Sequence, residues 1–347
     1  IVNSCTGKVI DWMVNCNVIG SCLLLFRALL YVQGLNIAVA AFDCSYWNNK
    51  FDTVQPIDTL KKNRVFREGT IGGYVVAGID EVELFSSTKK SCPDCLTRKN
   101  RAGEMEYFHR SVVCMTVGKA TACDPGAGNA EVEDGAEKDE GELTGGKRLV
   151  EQLRKRHGHF ADVIVADALY LNAPFINTIK ENGLEAVIRL KDEKRLIFQD
   201  AGGFFNRGEG EKEIVSTWKK DGRGRDISGF EIENCPHRLR VVRYHESWQE
   251  RGKKAERWMW LVTTLEQTAP EILWEMMNRR WDIEENGFHQ LKTYYHAKHC
   301  YGHAKHCYGH AAVEVIFNLM IIGFNMRELY LYQGSRGLKK AGSHERA

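Results

Sequence analysis

Short apolar runs bounded by polar residues are the main pattern between residues 74 and 190. Four of these runs have the length and the β-branched content of strands: 74–79 (YVVAGI), 107–117 (YFHRSVVCMTV), 162–166 (DVIVA) and 185–190 (EAVIRL). Residues 173–182 lie between the last two runs and are predicted to be a helix. A strand, a helix and a strand in this order indicate a parallel pair of strands.

A different pattern follows from residue 195 to about 264, where polar and apolar residues alternate. This alternation predicts a β-rich insertion, with strands at 213–218, 238–244 and 258–264. After Pro270, residues 271–292 and 311–331 are predicted to be two long helices. The whole order predicts an α/β fold with a mixed sheet.

The first part of the chain, residues 1–65, is predicted to be helical. Its apolar stretch 18–42 is long enough to cross a membrane. However, Arg27 lies near the middle of this stretch, where a charge is costly in lipid, and Gly34 interrupts it. Buried helices are therefore predicted in preference to a membrane span.

Charge is unevenly distributed along the 347 residues, whose net charge is only +2. Residues 131–142 contain seven acids and one lysine, so the rest of the chain carries about +8. This modest basic surplus is suited to a polyanionic partner. The surrounding segment 123–146 is rich in Gly, Asp and Glu and is predicted to be a solvated loop.

The eleven cysteines are odd in number and irregularly spaced, which favours reduced cytosolic thiols over a disulfide scaffold. Cys92 and Cys95 form a CxxC pair, and the heptad HAKHCYG occurs twice, at 296–302 and 303–309. A zinc site built from both regions is chemically reasonable if they meet in the fold. A recent duplication is the simpler explanation of the repeat itself.

Three acids stand out by position. Asp80 and Asp167 each follow a predicted strand, and Glu284 lies in the first long helix. Ligands gather at the carboxyl ends of strands in α/β sheets, and oxygen ligands suit Mg²⁺. Two such metals, about 4 Å apart, can hold the attacking and leaving oxygens of a phosphodiester reaction. Any one acid alone is more simply explained as an exposed side chain.

Three segments in a fixed order carry a family resemblance. The first two are 77–98 (AGIDEVELFSSTKKSCPDCLTR) and 166–176 (ADALYLNAPFI). The third runs from Arg280 to Lys292 and contains RWDIE at 280–284, Phe288, and LK at 291–292. Together they resemble the first-aspartate, second-aspartate and glutamate motifs of bacterial insertion-sequence transposases of the DDE class, specifically family four. That family's signature is Tyr, two residues, Arg, three residues, Glu, six residues and Lys. The resemblance covers roughly residues 56–332 and is far more specific than one short motif.

The resemblance implies a fold and a domain order. The expected fold is an RNase H-like core, a mixed sheet with flanking helices, that carries the β-rich insertion at about 195–264 before the catalytic helix. Residues 66–332 are expected to form this catalytic domain, and 333–347 a tail. Residues 1–65 are expected to be an incomplete DNA-end-binding part, since the 55–59 motif (QPIDT) lies unusually close to the first aspartate.

The resemblance also implies site residues and an activity. Asp80, Asp167 and Glu284 are expected to be the catalytic acids and the ligands of Mg²⁺ or Mn²⁺, while Arg280 and Lys292 contact DNA phosphates. The implied reaction is endonucleolytic cleavage at transposon ends and joining of the 3′ hydroxyl to target DNA. The implied partners are double-stranded transposon ends and target DNA, with a homodimer assembled on the DNA. Neither a membrane partner nor a location outside the bacterial cytoplasm and nucleoid is expected.

Several positions depart from the family pattern. Met277 replaces the signature tyrosine, and Glu81 follows the first aspartate where the family often has glycine. Lys292 lies eight residues after Glu284, which on a regular helix is about 80° away from the glutamate. Either Gly287 relaxes the helix, or Glu285 is the acid in register; the positions of Arg280 and Ile283 favour Glu284. A catalytically inactive DNA-binding remnant is therefore the alternative function.

Three tryptophans of the predicted insertion, Trp248, Trp258 and Trp260, have two interpretations. In related enzymes an aromatic residue of this region stacks on a flipped base near the transposon end. Because Trp258 and Trp260 alternate on one strand face, packing in the core is the favoured prediction.

Overall fold

The structure is a computed structural model that describes residues 69–93, 95–118, 123–124, 141–207, 211–217, 220–295, 297 and scattered positions from 317 to 327. The chain divides into two compact units, Ile1–Asp52 and Thr53–Ala347, and all described residues belong to the second. The apolar stretch 18–42 and the expected regions 1–65 and 333–347 lie outside the described residues. Among those that are described, no helix has the length and hydrophobicity to cross a membrane.

One mixed sheet organises the described part of the chain. Its order is β2-β3-β1-β5-β6-β10-β9-β8-β7, with β4 also paired to β3. The β1–β5 and β5–β6 pairs are parallel, and the other described pairs are antiparallel. The strands are β1 (Val76–Ser87), β2 (Leu96–Lys99), β3 (Met105–Thr116), β4 (Cys123–Asp124), β5 (Val163–Ala166), β6 (Glu185–Leu190), β7 (Glu211–Thr217), β8 (Lys220–Phe230), β9 (Leu239–Glu250) and β10 (Lys253–Thr263).

Helices connect and cover these strands. Helix α2 begins after Asn172, whose side chain accepts a hydrogen bond from the Phe175 backbone N–H, and Pro174 lies in its first turn. A single 3₁₀ turn, Ala168–Tyr170, precedes it, and a π-helical turn, Ile283–Phe288, joins the last two helices. The α-helices described are α1 (Glu142–His157), α2 (Ala173–Glu181), α3 (Leu196–Asn206), α4 (Pro270–Arg279) and α5 (His289–Tyr294).

Both faces of the sheet are covered, and β5 shows this most clearly. Val163 and Val165 pack in one core, whereas Ile164 and Ala166 pack in the other. Such a strand needs a continuous apolar run, which explains why VIVA does not alternate. Apolar residues of α1, α2 and α3 cover the face that contains Ile164, and residues of α4, the π turn and α5 cover the face that contains Val163.

The mixed α/β fold class and the central strand–helix–strand unit are confirmed: the observed elements are β5, α2 and β6 at nearly the predicted bounds. The prediction that the first strand ends at residue 79 is wrong. Strand β1 continues to Ser87 because its second half pairs with β3, including Asp80 opposite Val113 and Ser87 opposite Tyr107. Asp80 therefore lies inside a long strand.

The β-rich region at 195–264 also differs from the prediction. It begins with helix α3, whose buried residues Ile197, Ala201 and Phe205 are spaced by four. Its strands then extend the central sheet, since β10 pairs antiparallel with β6. Alternation along one strand predicts its two faces but not its neighbour, so the sequence did not show that these strands join the central sheet.

Candidate active site

Asp80 and Asp167 lie at neighbouring positions on two parallel strands. In the β1–β5 pair, Val76 is opposite Val163 and Gly78 is opposite Val165. Asp80 lies two residues beyond Gly78, and Asp167 lies two residues beyond Val165, so the same register puts the two aspartates side by side. Neighbouring strands are about 4.8 Å apart, and alternation turns both side chains to the face that is covered by α4 and the π turn.

Arg280 joins two of the three acids. Its Nη1 lies 2.9 Å from Oδ2 of Asp80, and its Nη2 lies 3.1 Å from Oε1 of Glu284. The residue is only 7% exposed. One planar guanidinium therefore fixes the strand acid and the helix acid relative to each other. The expected contact of Arg280 with a DNA phosphate stays a prediction, and the two carboxylates are the partners that the fold gives this side chain.

Asp167 is held by different partners. Its Oδ1 accepts a hydrogen bond from the Ala168 backbone N–H at 2.5 Å and lies 2.9 Å from Nζ of Lys191. Burial raises the pKa of this carboxyl, but the Ala168 N–H, Lys191 and Arg280 together outweigh burial and lower it. Asp167 is therefore ionised at neutral pH.

Asp80 is in the opposite electrostatic situation. Burial raises its pKa, Arg280 and the Glu81 backbone N–H lower it, the nearby Glu284 carboxylate raises it, and the net shift is upward. A raised pKa means that the negative charge of Asp80 is not fully compensated in the fold. Carboxylate oxygens with uncompensated charge fit a hard divalent cation such as Mg²⁺. Asp80, Asp167 and Glu284 are the side chains that could hold one.

The π turn accounts for the unusual distance between Glu284 and Lys292. The backbone N–H of His289 donates to the carbonyl oxygen of Glu284, five residues earlier, so this turn takes up one residue more than an α-helical turn. The prediction of one continuous helix over 271–292 is wrong for this reason. Glu284, not Glu285, bonds Arg280. Lys292 lies eight residues after Glu284 and is exposed, with its Nζ 5.8 Å from the centre of the Phe288 ring.

Gly287 allows this turn to approach the sheet. A Cβ atom built on Gly287 would lie 2.9 Å from Sδ of Met115 on β3, which is closer than side-chain carbons normally come. Met277, at the position of the signature tyrosine, is 3% exposed and packs in the same core. Met277 is therefore a packing residue of this core.

Two features near these acids were not predicted. One is Lys191, which directly follows β6; because β6 is parallel to β5, Lys191 lies at the same edge of the sheet as Asp167. Glu142 was assigned to a solvated loop, but it begins α1 and lies half-buried near Tyr170, Glu81 and Asp80. Burial is the main reason why the pKa of Glu142 rises to about 7, and the charges of Glu81 and Asp80 raise it further, against a lowering by Tyr170.

Glu142 is expected to make stability depend on pH. Its folded pKa of about 7 exceeds its ordinary value of 4.5. The folded state therefore binds the proton more tightly, and stability falls as pH rises from about 4.5 to 7. Glu142→Gln should raise the free energy of unfolding at pH 8 by on the order of 1 kcal/mol and leave it unchanged near pH 4.5.

Urea denaturation at both pH values measures this effect. Glu151→Gln, an exposed position on the same helix, is the matched control and should change stability at neither pH. An equal gain for Glu142→Gln at both pH values would show that the charge of Glu142 is not the cause.

Core packing holds for one of the two alternating tryptophans and not for the other. Trp260 packs against Phe198, with ring centroids 4.2 Å apart, as core packing predicts. Trp258 is 52% exposed and lies beside His245 and Arg243, so core packing is wrong for this residue. Trp258 is two residues closer than Trp260 to the tip of the β9–β10 hairpin. Helix α3 covers Trp260 through Phe198. Trp281, next to Arg280, is also 49% exposed.

The solved structures to which this chain shows similarity include the NurA nuclease from Sulfolobus solfataricus and an S-adenosylmethionine-dependent methyltransferase from Clostridium acetobutylicum. The nuclease is 12% identical with a TM-score of 0.28 and covers 80% of this chain and 96% of its own. The methyltransferase is 6% identical with a TM-score of 0.13 and covers 35% of this chain and 46% of its own. Both TM-scores are too low to support an inference about fold or function.

The comparison with curated proteins found no match. The family described as "Transposase DDE domain" matches residues 114–322, which is more than half of the chain. The matched segment contains Asp167, Arg280, Glu284 and Lys292 and begins after Asp80. The chain therefore belongs to the transposase DDE domain family.

Proposed function

We propose that this chain catalyses metal-dependent DNA cleavage and strand transfer at the ends of an insertion sequence. The observation that carries the proposal is the guanidinium of Arg280, which pairs with both Asp80 of β1 and Glu284 of the π turn. The register of β1 and β5 gives Asp167 the position next to Asp80, and the three acids are therefore proposed to form one site. The family match supplies the class of reaction, and this cluster supplies the residues.

The sheet order supports an RNase H-like core. Strand β1 pairs antiparallel with β3 and parallel with β5, and β5 pairs parallel with β6. The parallel pairing of β1 with β5 puts the carboxyl end of β5 next to the part of β1 that contains Asp80. That arrangement explains why an aspartate inside a long strand lies beside one that follows a short strand.

The three acids would hold Mg²⁺ or Mn²⁺. When bound, such metals activate an attacking oxygen and neutralise charge that develops on the phosphate. The residues of the chain prepare this site: Arg280 orients Asp80 and Glu284, while Lys191 and the Ala168 N–H keep Asp167 ionised. The chain supplies no covalent nucleophile in this scheme, because positioning and charge are sufficient for phosphoryl transfer.

Membership of insertion-sequence family four is also part of the proposal. Arg280 and Glu284 match the spacing of its signature, and the π turn takes up the one extra residue that separates Glu284 from Lys292. The DNA partners are then the ends of the element and the target, bound by a homodimer. Activity would take place on DNA in the bacterial cytoplasm.

An inactive DNA-binding remnant is the second candidate, and Glu81 is the residue that motivates it. Strand alternation turns Glu81 to the face opposite Asp80, where its carboxylate lies 3.0 Å from Nη1 of Arg110. Glu81 is thus held away from the side chains of Asp167 and Glu284. This placement favours the active enzyme over the remnant.

A strand-cleavage assay separates the two candidates. The substrate is labelled DNA that contains the sequences on either side of this gene, incubated with the full chain and Mg²⁺. The proposal expects free 3′ hydroxyl ends and their joining to a second DNA, whereas Ca²⁺ should support binding without cleavage, since its looser geometry misplaces the reacting oxygen. Binding without Mg²⁺-dependent cleavage would identify the remnant, and full cleavage in excess chelator would refute the metal mechanism.

Lys292 is expected to contact DNA phosphate, since it is exposed and lies on the helix that follows Glu284. Lys292→Ala should weaken DNA binding and reduce the slope of log affinity against log salt by about one, because one fewer counterion is released. Affinity measured at several salt concentrations gives this slope. Lys155→Ala is the control, because Lys155 is exposed on α1, on the other face of the sheet. Equal salt slopes for the two variants would show that Lys292 does not contact the DNA.

A further inference from the structure

Cys92 and Cys95 lie in a tight turn between β1 and β2. The backbone N–H of Cys95 donates to the carbonyl oxygen of Cys92 at 3.1 Å, and Pro93 occupies the second position of the turn, which its fixed φ favours. The two thiols are consequently brought together, with their Sγ atoms 3.4 Å apart.

His109 of β3 completes a group of three metal-ligating side chains. Its Nε2 lies 3.2 Å from Sγ of Cys92 and 3.3 Å from Sγ of Cys95. Zinc binds sulfur at about 2.3 Å and nitrogen at about 2.0 Å, so tetrahedral ligand atoms are roughly 3.5 Å from one another. The three atoms therefore need to move apart only slightly to surround an ion.

The chemistry of the group selects the metal. Cys95 and His109 are only 6% and 2% exposed, and Cys92 is half-buried. Two thiols and an imidazole are soft to borderline ligands that suit zinc and do not suit Mg²⁺. Two thiolates also balance the charge of a divalent ion, so burial of the complex costs little.

We propose that Cys92, Cys95 and His109 bind one structural Zn²⁺ ion per chain. The metal ties the connection between β1 and β2 to β3, at the end of β1 that is remote from the acids. His109 is opposite Phe85, five residues along β1 from Asp80, which corresponds to about 16 Å of strand. The ion is thus separate from the carboxylate site and serves to fix the edge of the sheet.

The histidines and cysteines of the repeat at 296–309, which were one possible source of zinc ligands, lie outside the described residues. His109 was not anticipated because it is fourteen residues from Cys95 and belongs to a strand. The proposal rests on the three ligands that the structure brings together. X-ray absorption at the zinc edge should show two sulfur ligands, with nitrogen or oxygen in the remaining positions.

Metal content of the purified full chain, expressed in zinc-containing medium, tests the proposal. Elemental analysis is expected to give about one zinc per chain for the wild type and almost none for Cys92→Ser/Cys95→Ser, since the loss of two ligands removes the site. Cys235→Ser is the matched control, because Cys235 is also buried but packs in the core on the other face of the sheet, and it should keep the zinc.

Cobalt substitution keeps the test decisive if the double variant does not fold. Wild-type chain loaded with Co²⁺ should show thiolate-to-cobalt charge-transfer absorption, and His109→Cys should strengthen that absorption, whereas His109→Ala should weaken metal binding at least tenfold. Zinc-free wild type, zinc retained by the double variant, or a Cys92–Cys95 disulfide found by thiol alkylation would each overturn the proposal.

Discussion

Asp80→Asn and Glu284→Gln are each expected to reduce DNA strand cleavage by about a thousand-fold or more. Both changes keep the shape of the side chain and remove the charged oxygen that would bind a metal. DNA binding should remain nearly unchanged, or become slightly tighter, because one negative charge near the phosphates is lost. Single-turnover cleavage of labelled DNA ends and affinity for the same DNA, measured side by side, check both parts.

The stability of these variants excludes a trivial loss of folding. Because the pKa of Asp80 is raised, its ionised form is less favourable in the folded state than in the unfolded chain at neutral pH. Asp80→Asn should therefore fold at least as stably as the wild type. Glu285→Gln is the control on the same π turn, since Glu285 is exposed and does not bond Arg280. If the cleavage rate of Asp80→Asn is within tenfold of the wild-type rate, Asp80 is not a catalytic residue.

Arg280→Ala is expected to cause the largest loss of stability, about 3 kcal/mol without divalent metal. The change leaves Asp80 and Glu284 close together and partly buried, with no guanidinium between them. Arg280→Lys should recover only part of this loss, because an ammonium group lacks the planar fork that reaches both carboxylates. Chemical denaturation gives the free energies of unfolding.

Three further measurements distinguish a positioning role of Arg280 from direct contact with DNA phosphate. Arg279→Ala, whose side chain is 43% exposed and lies 3.8 Å from Asp282, should cost less than about 0.5 kcal/mol. Added Mg²⁺ should reduce the deficit of Arg280→Ala, since a cation then compensates the two acids. The salt dependence of DNA binding should not change if Arg280 positions the acids. A reduced salt slope with unchanged stability would instead support direct phosphate contact.

The position of Asp167 could be predicted from the sequence, and that of Asp80 only in part. A buried apolar run that ends at an aspartate predicts an acid at the carboxyl end of a strand, which is where Asp167 lies, whereas Asp80 lies inside β1. The length of β1 could not be predicted in this way. Its second half is a strand because β3 pairs with it over residues 77–87, and pairing with a distant segment leaves no local signal.

The glutamate motif shows a second limit of sequence analysis. The spacing between Glu284 and Lys292 revealed a departure from a regular helix, and the sequence offered Gly287 or Glu285 as explanations. Only the fold shows a π turn that passes close to Met115, so that Gly287 fits and Glu284 keeps its contact with Arg280. Helical periodicity assumes a constant turn and cannot indicate a π turn by itself.

Ligands from separate elements were the hardest features to predict. Cys92 and Cys95 are close in sequence and were recognised as a pair, but His109 joins them only through the register of β1 and β3. The position of Lys191 could have been predicted, since this residue follows a strand that is parallel to β5.

Helix α3 could also have been predicted from the four-residue spacing of its buried side chains. The alternation that follows it predicts strands and conceals this spacing.

Mn²⁺ binding to the full chain, followed by electron paramagnetic resonance, tests the central claim most directly. Asp80, Asp167 and Glu284 are proposed to form one divalent-metal site, so Asp80→Asn/Asp167→Asn should lower Mn²⁺ affinity by at least about tenfold. Glu285→Gln and Cys92→Ser/Cys95→Ser should bind Mn²⁺ as the wild type does, because neither changes that carboxylate group. Equal Mn²⁺ affinity in the wild type and in Asp80→Asn/Asp167→Asn would contradict the account.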